Sequence, residues 1–110
     1  MQYTVAIPGW IPNPRRRRET RKLVAAHCQR MGVPVCPWKR QVTLTFQVQS
    51  AVEATDAARS SMSDLVMDAL LWSGMVKGGG LKVSASVMAG ASEPFTTIEL
   101  VDLIGEEVPE

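Results

Sequence analysis

The fold is decided by residues 61–74, which read SMSDLVMDALLWSG. Apolar side chains recur there at intervals of three and four residues, which is the spacing of one face of an amphipathic helix. These positions are Met62, Leu65, Val66, Ala69 and Leu70, and Ser73 continues the stripe. Gly74 follows as a residue suited to the left-handed conformation that closes a helix. The start of the helix is open, because Ser61 with Asp64 resembles a capping box whereas Thr55 would begin the helix earlier.

Four segments around this helix alternate between apolar and polar residues, which is typical of strands that bury one face. They are residues 3–7, 42–48, 81–88 and 95–103, and a glycine turn at 78–80 leads into the third. Another amphipathic helix is predicted at 20–31, between a proline-rich loop at 8–14 and Gly32. This order predicts an α+β fold, a two-layer domain in which two helices pack on a small mixed β-sheet. The last two strands are expected to form a hairpin through the small-residue turn at 89–92.

Length and charge limit the possibilities further. The chain has 110 residues, 45% of them hydrophobic, which predicts one domain over residues 1–104 and an acidic tail at 105–110. Residues 1–40 hold nine Lys and Arg against Glu19 alone, whereas residues 41–110 hold three against ten acidic residues. The net charge of +1 therefore conceals a strong charge split. This split indicates an interaction surface near the amino-terminal end.

The two cysteines do not form a metal-binding motif. Cys28 and Cys36 are accompanied by a single histidine, His27, so the four ligands of a zinc site are not supplied. We expect reduced thiols, with Cys28 packed as a small apolar residue. No apolar stretch is long enough for a membrane span and no signal-peptide pattern is present, which predicts a soluble, cytoplasmic protein. The glycine turn lacks the residues of a phosphate loop, and no small-molecule substrate is indicated.

A basic cluster precedes and opens the first helix. Six positive side chains lie within eight residues, and they are Arg15, Arg16, Arg17, Arg18, Arg21 and Lys22. Trp10, Trp38, Lys39 and Arg40 are expected to join the same binding surface. Guanidinium groups bind phosphate bidentately and each neutralised phosphate releases counterions, so the cluster predicts salt-sensitive nucleic-acid binding. An acidic protein surface would satisfy the same arginines, and the tryptophans either stack on bases or cover an edge of the core.

Parts of the chain resemble a known family. The order of elements, the segment Val5-Ala6-Ile7-Pro8-Gly9, the triplet Asp68-Ala69-Leu70 and Gly74 resemble the RusA family of Holliday-junction resolvases, which are homodimeric, magnesium-dependent endonucleases widespread in phages. Aligned on Asp68, the functional positions of that family are occupied here by Ala58, Ser60, Ser61, Asp64, Gly78 and Gly79. In the family the first two and the last two positions are acidic, with Mg²⁺-binding aspartates among them. The middle two are an asparagine and a lysine that helps to stabilise phosphate charge.

The resemblance implies the fold of that family without its reaction, because small uncharged side chains cannot hold a divalent cation or polarise a water molecule. We therefore predict a catalytically degenerate RusA-like phage protein, without a cofactor, that binds branched or single-stranded DNA or a host or viral protein. The resemblance also implies a homodimer. The enzymatic alternative is a Mg²⁺-dependent junction endonuclease with a rearranged site at Glu53, Asp56 or Asp64. The helix dipole alone favours acidic residues near a helix start, and we prefer this explanation of the three residues.

Overall fold

A computed structural model of the chain describes residues 2–35, 39–77 and 82–103. Within these ranges the chain forms four strands, two α-helices and one turn of 3₁₀ helix. The strands are β1 (Gln2–Pro8), β2 (Arg40–Gln47), β3 (Lys82–Met88) and β4 (Phe95–Asp102), the helices are α1 (Arg17–Arg30) and α2 (Asp56–Trp72), and the 3₁₀ turn is Ala51–Glu53. The predicted glycine turn at 78–80 and the acidic tail at 105–110 lie outside the described residues.

The four strands form one mixed sheet in the order β1-β4-β2-β3. Strand β4 is antiparallel to both β1 and β2, whereas β2 and β3 are parallel and are joined through α2. The predicted α+β fold, with two helices and a small mixed sheet, is confirmed. The predicted hairpin of the last two strands is wrong, because β3 and β4 lie on opposite sides of β2.

The composition of the last two strands explains why they separate. Strand β4 buries Thr96, Ile98 and Leu100 on one face, so a central position between β1 and β2 covers its apolar side chains. Strand β3 consists mainly of small and polar residues, and none of them is fully buried, so it is suited to the edge of the sheet. A parallel neighbour requires a crossover connection, and α2 supplies it between β2 and β3.

The core lies between the helices and one face of the sheet. Val42 of β2 is in register with Leu100 of β4 and Val83 of β3, and Leu44 and Phe46 continue the buried row. Helix α2 buries the predicted stripe, Met62, Leu65, Val66, Ala69 and Leu70. Helix α1 buries Thr20, Val24 and Cys28. The opposite face of the sheet carries mainly threonine, glutamine and serine and has no helix packed on it among the described residues.

Both helices begin before the positions that their apolar stripes mark. Helix α1 starts at Arg17 rather than at residue 20, and the Thr20 hydroxyl donates a hydrogen bond of 2.9 Å to the carbonyl oxygen of Arg16. Helix α2 starts after Thr55, whose Oγ1 accepts a hydrogen bond of 3.1 Å from the backbone N–H of Ala58. Of the two starts that the sequence left open, the earlier one at Thr55 is confirmed, and Ser61 lies inside the helix. The predicted stop at Gly74 is also confirmed by its φ of 78°.

The cap of α2 gives a first prediction. Thr55→Ala is expected to lower the free energy of unfolding by about 0.5–2 kcal/mol, because the Thr55 hydroxyl satisfies a backbone N–H that has no partner within the helix. Ser61→Ala is the matched control, and we expect it to change the stability by less than about 0.5 kcal/mol. Urea unfolding of both variants measures the difference. Equal losses for the two variants would contradict the assigned start of the helix.

Candidate nucleic-acid interface

The basic cluster occupies the end of the proline-rich loop and the first two turns of α1. Arg15, Arg16, Arg17, Arg18 and Lys22 are exposed, and Arg21 is half-buried. Residue Arg16 holds the N-cap position without a capping hydrogen bond from its side chain, so the first backbone N–H groups of α1 point toward solvent or a ligand. The positive end of the helix dipole adds to the guanidinium charges at this point. The combination attracts anions and repels cations.

Two members of the cluster face the other helix. Arg21 donates two hydrogen bonds to Asp68 of α2, from Nε to Oδ2 at 2.9 Å and from Nη2 to Oδ1 at 3.1 Å. Arg17 lies one turn earlier on α1, and its Nη1 is 3.2 Å from Oδ1 of Asp68. The hydrogen bond from Arg21 is the main reason why the pKa of Asp68 is lowered, and the charge of Arg17 lowers it further. Asp68 is therefore ionised at neutral pH, and its ion pairs with Arg17 and Arg21 connect the start of α1 to α2.

The remaining members divide into one local ion pair and one unpaired row. Arg16 contacts Glu19 within the first turn at 2.9 Å, with both side chains largely exposed. Within the described ranges, Arg15, Arg18 and Lys22 have no acidic partner. Arg18 and Lys22 are four residues apart and share one face of α1, and Arg15 precedes them by three residues. We call these three residues the cationic row.

Arg40 does not belong to this surface, and the prediction that placed it there is wrong. Its side chain is 0% exposed, and its Nε donates a hydrogen bond of 2.7 Å to Oδ1 of Asp102. Its Nη1 donates another of 2.7 Å to the carbonyl oxygen of Met75, and its guanidinium lies 5.2 Å from the centre of the Tyr3 ring. The physical reason is strand alternation, since Arg40 shares the inward face of β2 with Val42. Lys39, its neighbour, is exposed.

The tryptophans differ in their surroundings. Trp10 is half-buried against the core, and its carbonyl oxygen accepts a hydrogen bond of 2.8 Å from the Thr96 hydroxyl. This supports the interpretation that Trp10 covers an edge of the core. Trp38 lies outside the described residues. Trp72 is 55% exposed, and the Arg21 guanidinium lies 5.9 Å from its ring centre. An aromatic face therefore adjoins the basic cluster.

Ala58 and Ser60, which the RusA resemblance aligns with metal-binding aspartates, lie in the first half of α2. Ala58 and Ser61 line a small, mainly apolar pocket together with Ile11, Pro12, Pro14, Val48, Glu53 and Met62. Gly78 and Gly79 fall outside the described residues. In residues 2–35, 39–77 and 82–103, no three His, Cys, Asp or Glu side chains are grouped so that they could hold a metal ion.

The three acidic residues of the enzymatic alternative have separate surroundings. Glu53 accepts a hydrogen bond from the backbone N–H of Ser50 as part of a capping box. Asp56 is almost fully exposed, and its Oδ1 is 3.6 Å from Nη1 of Arg59. Asp64 is exposed and lines a shallow groove beside β3 that Arg59 also lines. Glu53 and Asp56 thus take part in the local caps and ion pairs that helix starts favour.

Cys28 is the buried thiol that the sequence predicts. It is 0% exposed, and burial raises its pKa to about 11, while the positive charge of Arg40 acts in the opposite direction. The thiol is therefore protonated at neutral pH and is a poor nucleophile. His27 is half-buried on the same helix, and Cys36 lies outside the described residues.

No family model matches the sequence, and no curated protein has a sequence that is significantly similar to it. Neither α-helix in the described part of the chain combines the length and apolar character that crossing a membrane requires.

Proposed function

We propose that this protein binds nucleic acid through the start of α1 and does not cleave it. The observation that carries the proposal is the cationic row, three exposed positive side chains without an acidic partner among the described residues, at the positive end of a helix. Such a row contacts phosphate oxygens without reading bases, so the expected binding is sensitive to salt and tolerant of sequence. Trp72 beside Arg21 offers a surface on which an unpaired base would stack.

The charge balance of the basic cluster supports a polyanionic partner. Six positive side chains face two carboxylates, those of Glu19 and Asp68, so about four positive charges remain uncompensated over the first turns of α1. Within the proposal, the nucleic acid is branched or single-stranded DNA, because that class of ligand agrees with the RusA resemblance. A phage origin, a homodimeric state and action in the host cytoplasm belong to the same proposal.

The side chains at the positions aligned with the functional residues of the RusA family do not support cleavage. Ala58 and Ser60 offer no carboxylate to a divalent cation, and Asp64 has the opposite charge to the lysine of the RusA family. A nuclease of this kind needs acidic ligands to hold Mg²⁺ and to activate the attacking water. Binding without hydrolysis is the function that remains for a basic surface on such a fold.

The proposal is tested by measuring affinity for a fluorescent four-way junction, a single strand and a duplex over a range of salt concentrations. We expect binding to each, with an affinity that falls linearly in a plot of log affinity against log salt. Absence of binding to all three at low salt, together with capture of an acidic protein by the same residues, would replace the nucleic acid by a protein partner.

Asp68 gives a further prediction, because it holds two arginines that would otherwise be free. Asp68→Asn removes the negative charge that pairs with Arg17 and Arg21. The two released arginines could contact up to two further phosphates, so we expect tighter DNA binding and a steeper slope of log affinity against log salt. Glu93→Gln removes the same charge at an exposed position between β3 and β4 and is the control. A salt dependence of Asp68→Asn that equals that of the control would show that these arginines do not reach the DNA.

A further inference from the structure

The described part of the chain ends at Leu103, next to the end of α2. The backbone N–H of Leu103 donates a hydrogen bond of 3.2 Å to the carbonyl oxygen of Lys39. Asp102 accepts a hydrogen bond from Arg40, which in turn donates one to the carbonyl oxygen of Met75, three residues after the last residue of α2. The residues that follow Leu103 therefore begin beside the carboxyl-terminal end of this helix.

The surface that leads from this point to the basic cluster is apolar and positively charged. Leu71 and Trp72, in the last turn of α2, are exposed, and the Arg21 guanidinium lies beside the Trp72 ring. Lys39 is also exposed and has no acidic partner among the described residues. We call Arg21, Lys39, Leu71 and Trp72 the exit surface. Its composition suits a ligand that carries both carboxylates and apolar side chains.

Residues 104–110, which follow the described part of the chain, have this composition. They read IGEEVPE, with three glutamates, no positively charged residue and the apolar side chains of Ile104 and Val108. The basic cluster has about four positive charges that Glu19 and Asp68 do not compensate. Three carboxylates would offset most of this excess. The segment is therefore complementary to the exit surface and to the neighbouring cluster in charge.

The segment is also long enough to reach the basic cluster. Seven extended residues span up to about 23–25 Å. The helical rise places Asp68 only about 10 Å from Met75 along the direction of α2. Asp68 in turn contacts Arg17 and Arg21 at the start of α1. A segment that begins after Leu103 can therefore pass over the end of α2 and still place its glutamates beside these arginines.

We propose that residues 104–110 dock on the exit surface and that their glutamates compete with nucleic acid for the basic cluster. The occupant is this segment rather than a separate partner, because its covalent connection holds it beside the surface at a high effective concentration. Docking disfavours weak contacts with isolated phosphates, since a ligand must displace the glutamates before it binds. The competition rests on the proposed function, whereas the docking itself does not.

The competition is tested with two double variants that change the net charge equally. E106Q/E107Q removes two carboxylates of the segment, whereas E93Q/E99Q removes one between β3 and β4 and one on the open face of the sheet. Fluorescence anisotropy with a labelled single strand measures the affinity of each protein over a salt series. We expect E106Q/E107Q to bind at least about threefold more tightly than the wild type at low salt, with a smaller gain at high salt. The control should change the affinity by less than about twofold.

Docking is measured without DNA, by nuclear magnetic resonance of the ¹⁵N-labelled proteins. We expect E106Q/E107Q, but not E93Q/E99Q, to shift the resonances of the Trp72 indole N–H and of the Arg17 and Arg21 side chains. Unshifted resonances would overturn the docking, and shifts in the wild type that depend on protein concentration would show that the segment reaches a second copy instead.

The two measurements separate this inference from the proposed function. Equal gains in affinity for both double variants would overturn the competition, because they would show that net charge alone is responsible. An affinity that E106Q/E107Q leaves unchanged would also overturn it, while DNA binding by the basic cluster would stand. Specific resonance shifts in a protein that binds no nucleic acid would support the docking and refute the proposed function.

Discussion

Replacing the cationic row by alanine, as R15A/R18A/K22A, is expected to weaken DNA binding on the order of 100-fold at physiological salt. Each phosphate contact contributes about 0.9 to the slope of log affinity against log salt for duplex DNA, so the slope should fall by about 2.7. The loss should be similar for unrelated DNA sequences, because phosphate contacts carry no base information. Fluorescence anisotropy over a salt series measures the affinity and the slope together.

The matched control removes three other exposed positive charges. R30A/K77A/K82A has the same net charge as R15A/R18A/K22A, but its substitutions lie at the end of α1, after α2 and at the start of β3. Long-range attraction alone would weaken both proteins equally. We expect the control to keep most of the affinity and nearly all of the wild-type slope. Equal loss in the two triple variants would contradict a localised interface at the start of α1.

The largest expected effect on stability is that of Asp102→Ala. The Asp102 side chain is 7% exposed and accepts a hydrogen bond from the fully buried Arg40. Its removal leaves a buried guanidinium with its charge uncompensated, which typically costs about 3–5 kcal/mol of the free energy of unfolding. Domains of this size have about 5–15 kcal/mol in total, so a fully folded population at 37 °C is not assured.

A double variant separates the lost ion pair from the lost packing. In R40M/D102A both charges are absent and methionine fills much of the volume of the arginine side chain, so we expect at least half of the lost stability to return. Urea unfolding of the wild type, Asp102→Ala and R40M/D102A measures this recovery. A double variant that is less stable than Asp102→Ala alone would show that Arg40 acts mainly through Met75 and Tyr3 rather than through Asp102.

The sequence predicted the type and order of the elements because each has a strong local signal. The alternation in β2 and the stripe of α2 identify their buried faces without reference to the rest of the chain. Strand pairing lacks such a signal. A short turn at 89–92 favours a hairpin locally, yet β4 has more apolar surface to cover than β3 and takes the central place between β1 and β2.

The burial of Arg40 could be read from the sequence once the faces of β2 were known. Arg40 continues the inward alternation of Val42 and Leu44, which indicates a buried side chain, but its position next to Lys39 suggested a surface charge.

The contact of Asp68 with Arg17 and Arg21 required the structure. The aspartate is separated from Arg21 by 47 positions in the chain, and nothing local distinguishes paired arginines from free ones. Their spacing of four residues places both on the side of α1 that faces α2, and this side is defined only when the two helices pack. The sequence therefore predicts the basic cluster, but it does not show which of its arginines form ion pairs with Asp68 and which do not.

Binding without cleavage is tested by one incubation of the protein with a fluorescent four-way junction in the presence of Mg²⁺ or Mn²⁺. Anisotropy reports the bound fraction and a denaturing gel of the same sample reports the length of the strands. We expect a fully bound junction with intact strands. Strand scission by the wild type that disappears when Glu53, Asp56 or Asp64 is replaced would contradict binding without cleavage.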